Sequence, residues 1–137
     1  MPKTITIQVT IDAPIEKVWE YWNKPEHIVK WAFASDDWEA PSAENDLRVG
    51  GKFKTVMSAK DKSSRFDFIG TYTAVDHHER IEYTIDDGRK VSTVFESMGD
   101  KTKATTSFEP EHQNSEEMQR SGWQAILDNL KKHVENN

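Results

Sequence analysis

The last quarter of the sequence limits the fold more than any other stretch. From about Ser115 to Val134, the residues Met118, Gly122, Trp123, Ile126, Leu127, Leu130 and Val134 fall on one helical stripe. Asn114 followed by Glu117 reads as a capping box. Glu116 and Glu117 lie in the first turn and Lys131, Lys132 and His133 in the last, as the helix dipole prefers. A helix of ~20 residues is about 30 Å long. A one-sided helix of that length must bury its stripe on a broad apolar surface, which the rest of the chain has to supply.

That surface reads as antiparallel sheet. Residues 3–11 alternate, with Ile5, Ile7, Val9 and Ile11 on one face and threonines and Gln8 on the other. Pro14 opens a helix carrying Ile15, Val18, Trp19 and Trp22 at helical spacing, with Glu16 in its first turn. Asn23-Lys24-Pro25 breaks it, and a second short helix from Pro25 to about Trp31 buries Ile28 and Trp31. Residues 32–49 read mainly as loop, with one strand carried by Trp38 and the Asp46–Val49 segment. Strands then follow at Lys52–Ala59, Phe66–Val75, Arg80–Ile85, Val91–Met98 and Thr102–Phe108. Gly50-Gly51, the polar 60–65 stretch, 76–79, Asp87-Gly88 and Gly99-Asp100 separate them. Asp87-Gly88 suits a two-residue type I′ hairpin, and Gly70 inside its strand suggests a bulge or bend. Connections this short join neighbours into a meander. The expected fold is α+β: a curved antiparallel sheet of about seven strands wrapped around the long C-terminal helix. No repeat, low-complexity tract or linker divides residues 1–137, so one domain is expected.

Composition removes several function classes. With 24 acidic and 18 basic residues the formal net charge is −6, and the basic residues are scattered, which argues against nucleic acid as partner. There are 0 cysteines, so neither a disulfide framework nor a thiolate metal site exists. The N-terminus carries no secretory apolar core, and no run is long enough to span a bilayer. A cytoplasmic protein with no membrane partner is expected, as a monomer or weak dimer.

Catalytic signals are thin. The only histidine pair, His77-His78, is expected to point its rings apart and to chelate poorly. His27, His112 and His133 read as isolated surface residues. Asp36-Asp37 and Asp86-Asp87 lie where aspartates form turns. There is no phosphate-cradling glycine loop, nucleophile elbow or His-Glu-x-x-His. No catalytic residue, metal ligand or cofactor is assigned, which weighs against an enzyme. A pattern remains: Thr55 sits between Phe53 and Met57, Thr93 between Val91 and Phe95, Ala104 and Thr106 before Phe108, and Gly122 between Met118 and Ile126. Small and hydroxylic residues facing a helix leave space with a few polar anchors, the make-up of an apolar ligand pocket. The count of 5 tryptophans agrees with such a cavity, though core packing uses them as readily.

Taken in order, Ala13-Pro14-Ile15-Glu16-Lys17-Val18-Trp19, Pro25-Glu26-His27-Ile28 with Trp31, Asp46-Leu47-Arg48-Val49-Gly50-Gly51-Lys52-Phe53, Gly70-Thr71-Tyr72, Glu79-Arg80-Ile81 and Gly122-Trp123 resemble the START-like SRPBCC superfamily. The nearest branch is the one named for homology to the activator of the ninety-kilodalton heat-shock chaperone ATPase. The resemblance covers almost the whole chain. It implies a helix-grip fold, β-α-α-β6-α, with a deep cavity between sheet and helix. It implies no fixed catalytic set, and functions from lipid or polyketide binding through self-sacrificing resistance and cyclisation to chaperone activation. Eukaryotic activators of that name carry a further N-terminal domain, whereas this sequence opens on its first strand, so the chaperone role stands as an alternative.

The leading expectation is a binding module for an apolar small molecule, with Trp31, Trp38, Phe53, Met57, Phe68, Tyr83, Phe95, Met118 and Gly122 lining its cavity. A protein-partner role is the first alternative, with Phe33 and Trp38 as the place for an exposed apolar patch. A cyclase or hydrolase is the second, with Tyr83 as its general acid or hydrogen-bond donor.

Overall fold

The computed structural model describes residues 4–137, so Lys3, the expected first strand residue, lies outside the described residues. In chain order the elements are β1 (Ile5–Ile11), α1 (Ile15–Asn23), α2 (Pro25–Trp31), β2 (Trp38–Asn45), β3 (Lys52–Ala59), β4 (Arg65–Asp76), β5 (Arg80–Ile85), β6 (Lys90–Ser97), β7 (Thr102–Phe108) and α3 (Glu116–Glu135). The strands form one antiparallel sheet in the order β1-β7-β6-β5-β4-β3-β2. It curls into a half-barrel about α3, an α+β helix-grip arrangement. Among the described residues no helix is long and apolar enough to cross a membrane.

Alternation in β1 does what period two requires: Ile5, Ile7, Val9 and Ile11 are buried and the residues between them exposed. Ile11, Val18, Phe108, Leu130 and Val134 are wholly buried where β1, β7, α1 and the C-terminal half of α3 meet. A single residue, Lys24, separates α1 from α2. Its N–H donates to the Glu20 carbonyl at 3.0 Å, and its own carbonyl accepts from Ile28 at 2.9 Å. Pro25 holds Lys24 extended, which makes the corner sharp.

β1 is an edge strand, and α3 covers that edge with polar side chains. Arg120, Gln124 and Lys131 donate to the carbonyls of Thr6, Gln8 and Thr10 at 2.9, 3.1 and 2.8 Å. The Asp12 N–H donates to Glu135 at 2.8 Å. Groups that would otherwise template another strand are thereby satisfied. They also hold α3 against β1 at one side of the sheet.

Four local expectations are corrected. The strand in the 32–49 region runs Trp38–Asn45, and Asp46–Val49 belongs to the turn after it. Pro41 sits inside β2, where the register shifts between Glu39 and Ser42, and an edge strand tolerates the missing N–H. The cap of α3 is Ser115, whose Oγ accepts from the Met118 N–H at 3.1 Å, so Asn114 and Glu117 form no capping box. The β5–β6 loop has only Gly88 at positive φ (+96°), and the Gly88 N–H reaches the Ile85 carbonyl at 2.8 Å. This is a three-residue loop with a glycine bulge rather than type I′. In β4 the irregularity lies between Tyr72 and Ala74 instead of at Gly70.

Candidate functional site

Because α3 leans on β1, it stands off the middle strands, and a pocket of about 390 Å³ lies between them. Phe53, Thr55 and Met57 of β3, Phe66, Phe68 and Tyr72 of β4, Ile81 and Tyr83 of β5, Thr93 of β6 and Thr106 of β7 face it from the sheet. Gln119, Trp123, Ile126 and Leu127 face it from α3. Trp22, Asn23, Ile28, Trp31 and Ala32 close the end beneath α1 and α2.

The aromatic wall depends on one glycine. Phe53 stands opposite Gly70 in the ladder, and its ring occupies the space a side chain at Gly70 would need: a Cβ there would sit 2.4 Å from Phe53 Cε2. The Phe53 ring then meets Tyr83 edge-on at 4.8 Å and lies 5.6 and 5.5 Å from Phe68 and Tyr72. Trp123 stacks flat on Phe108 at 4.2 Å and presents itself to Phe68 at 6.1 Å. Such arrays pack more firmly than their buried area alone implies.

Polar groups interrupt this wall at three places. Thr93 and Thr106 are cross-strand partners whose hydroxyls bond each other at 2.8 Å. At the α1–α2 end Asn23 donates to the Trp19 carbonyl at 2.9 Å, Asn45 donates to the Asn23 carbonyl at 2.7 Å, and the Tyr72 hydroxyl donates to Asn45 Oδ1. Toward the β5–β6 turn lie Arg89, Glu111, Asn114 and Gln119, with Tyr83 beside Tyr72, its partner in the β4–β5 ladder. Gln119 binds the Glu111 N–H at 2.8 Å and the carbonyls of Glu111 and Asn114 at 3.1 and 2.9 Å, which ties the 109–115 loop to the helix. Burial pushes both the Tyr83 and the Tyr72 phenols well above the ordinary tyrosine range. Both therefore keep their protons at neutral pH.

Of the nine residues expected to line a cavity, Trp31, Phe53, Met57, Phe68 and Tyr83 face this pocket. The other four stand elsewhere. Phe95 is buried under α1, edge-on to Trp19 at 5.3 Å and to Trp22 at 5.0 Å. Trp38 is half-buried and rests on Phe66 at 5.7 Å, one ring outside the lining. Met118 is 64% exposed. Gly122 lies on the flank of α3, with no atom within 4 Å of where a Cβ would be. The helix turns by about 100° per residue, so centring the buried face on Trp123, Ile126 and Leu127 carries Met118 to the far side. Gln119 takes the inward place instead. Trp123 and Ile126 were visible in the stripe, and Tyr72 shares the Phe68 face of β4 at period two. Arg89 had no signal, because a turn residue's direction is set by the loop geometry.

The histidines also differ from expectation. His77 and His78 stack at 3.8 Å, both edge-on to Trp19, because His78 adopts a positive φ of 64°. His27 and His133 join α2 to α3 through an Nδ1–Nε2 hydrogen bond of 3.0 Å, and Tyr21 stacks on His27 at 3.8 Å. Burial, and then the charges of His27, Lys30 and Lys17, lower the pKa of His133.

A half-barrel sheet gripping a C-terminal helix beside an aromatic pocket places the chain in the helix-grip class. Residues 12–135 match the family described as Activator of Hsp90 ATPase homolog 1-like protein, and the chain belongs to that family. It is similar to the AHSA1-like protein of Aeromonas hydrophila, with 42% identity and a TM-score of 0.91 over 98% of this chain and 93% of that one. Chr148 of Cytophaga hutchinsonii is 55% identical with a TM-score of 0.84 over the same shares of the two chains. CV1439 of Chromobacterium violaceum is 26% identical with a TM-score of 0.87, over 99% of this chain and 100% of that one. No curated protein matches.

Proposed function

We propose that this chain is a binding module that holds an apolar small molecule, of lipid, aromatic or polyketide-like kind, between the sheet and α3. The observation that carries the reading is the pocket of about 390 Å³ walled by Phe53, Phe68, Tyr72, Tyr83 and Trp123. Its size and its mixture of an apolar wall with few polar groups are those of small-molecule sites. Membership of a family with helix-grip relatives agrees with it. Amide NMR of the labelled chain with pooled fatty acids, sterols, flavonoids and polyketides tests it. Saturable shifts are expected on Thr55, Phe68, Tyr83, Thr93 and Trp123. A well-dispersed spectrum that no pool perturbs would overturn it.

A protein-partner role is the alternative. The family description names an ATPase activator, and Phe66 is 48% exposed beside the half-buried Trp38. Capture of a partner that Phe66→Ser abolishes would favour that reading. A cyclase or hydrolase is the weaker alternative: Tyr83, holding its proton, serves as a donor but not as a base.

A further inference from the structure

The polar end of the pocket has a chemistry that the apolar wall does not require. Arg89 and Glu111 are the only charged side chains among the described lining residues, and Arg89 is the only cation. Arg89 closes the Ile85–Arg89 turn, where its carbonyl accepts from the Ile85 N–H at 2.7 Å and its own N–H reaches Asp87 Oδ1 at 3.1 Å. Its Nε donates to Asp87 Oδ2 at 2.8 Å and its Nη1 to the Glu109 carbonyl at 3.4 Å. Two fixed contacts therefore hold the guanidinium plane. A guanidinium has five N–H donors in a planar fork. Nη2 and the second hydrogen of Nη1, the edge that pairs with carboxylates, have no partner among the described residues. Tyr83 lines the same pocket, and its hydroxyl likewise has no hydrogen-bond partner among the described residues. Of the neighbouring acids, Asp87 is committed to the Nε edge, and one Glu111 oxygen accepts the Asn114 N–H at 2.7 Å.

Resting on the pocket reading above, we infer that the guest is amphipathic: an apolar body against the aromatic wall and a carboxylate head on the open Arg89 fork, with the Tyr83 hydroxyl as second donor. Lysine at this position would supply a point charge without the fork. The arrangement discriminates by head group, because a neutral ester or amide offers the fork a weaker, uncharged acceptor.

Two matched pairs test this by calorimetry on the intact chain: dodecanoate against methyl dodecanoate, and naphthylacetate against naphthylacetamide. Each acid is expected to bind at least about tenfold tighter than its neutral partner, the scale of one charge-assisted hydrogen bond. Arg89→Met should bring the acid-to-neutral ratio close to one, and Tyr83→Phe should reduce it while leaving the turn intact. Binding of acid and neutral partner with equal affinity would overturn the carboxylate head and leave the pocket reading standing. Saturable binding by none of the four compounds would overturn both.

Discussion

Thr93 and Thr106 show how a polar pair survives in an apolar wall. Their hydroxyls are buried and satisfy each other. Thr93→Val strands the Thr106 hydroxyl and should cost about 1–3 kcal/mol, whereas replacing both by valine should cost far less. Urea unfolding of the two single variants and the double variant measures that coupling. Gly70 makes the converse case. A methyl there meets the Phe53 ring, so Gly70→Ala should destabilise by about 1–3 kcal/mol and regain part of that in a Phe53→Leu background. At this scale the sequence was only partly legible. Phe53, Thr55, Phe68 and Tyr83 follow from strand alternation, which a β-strand keeps strictly. Met118 and Gly122 failed because a helical stripe is read as a band, and residues at its margin turn to the flank or to solvent. Met118→Gln should therefore shift stability by no more than about 0.5 kcal/mol. Leu130→Ala, at a wholly buried position in the C-terminal half of the same helix, should cost about 2–5 kcal/mol.

Among the elements, α3 is fixed by two kinds of contact. Polar side chains bind the open edge of β1, and the His27–His133 hydrogen bond clasps the helix to α2. One ring must accept in that bond, so the clasp fails when the accepting nitrogen is protonated. The folded pKa of His133 lies below its ordinary 6.5, so the unfolded chain binds the proton more readily than the native one. This contribution is complete above about pH 6.5 and is lost as pH falls toward the lowered native value. Urea midpoints from about pH 8 to about pH 5 should fall on the acidic side, and His133→Gln should flatten that fall. Element existence was readable throughout except at β2. Pro41 and a cluster of small and acidic residues hide a strand there, because an edge strand with a bulge needs neither alternation nor a full ladder. The Asp87-Gly88 turn was legible as a turn but not in type, since the glycine settles one positive φ and the loop length settles the rest.

For the molecule as a whole, the order of elements and the grip on α3 followed from two facts of sequence: a long one-sided helix, and enough short-linked strands to curl around it. The pocket arises from how α3 is seated. Held by its polar contacts to β1, the helix cannot also close on β3–β5, and the gap becomes the space between Phe53, Tyr83 and Trp123. No sequence periodicity encodes that offset, so Arg89, Glu111 and Gln119 carry no signal in the sequence as lining residues, although Tyr83 does. Fold and family leave the guest to the side chains of this gap.

Filling the gap tests the central claim most directly. Ile126 faces the pocket from α3 and is only half-buried at the margin of the core, so Ile126→Trp adds volume toward the space. With any guest found by the amide NMR screen, calorimetry on the variant should show at least about a tenfold loss of affinity while thermal stability is kept or raised. Undiminished affinity in a folded Ile126→Trp variant would mean that the guest binds elsewhere, and would contradict the account.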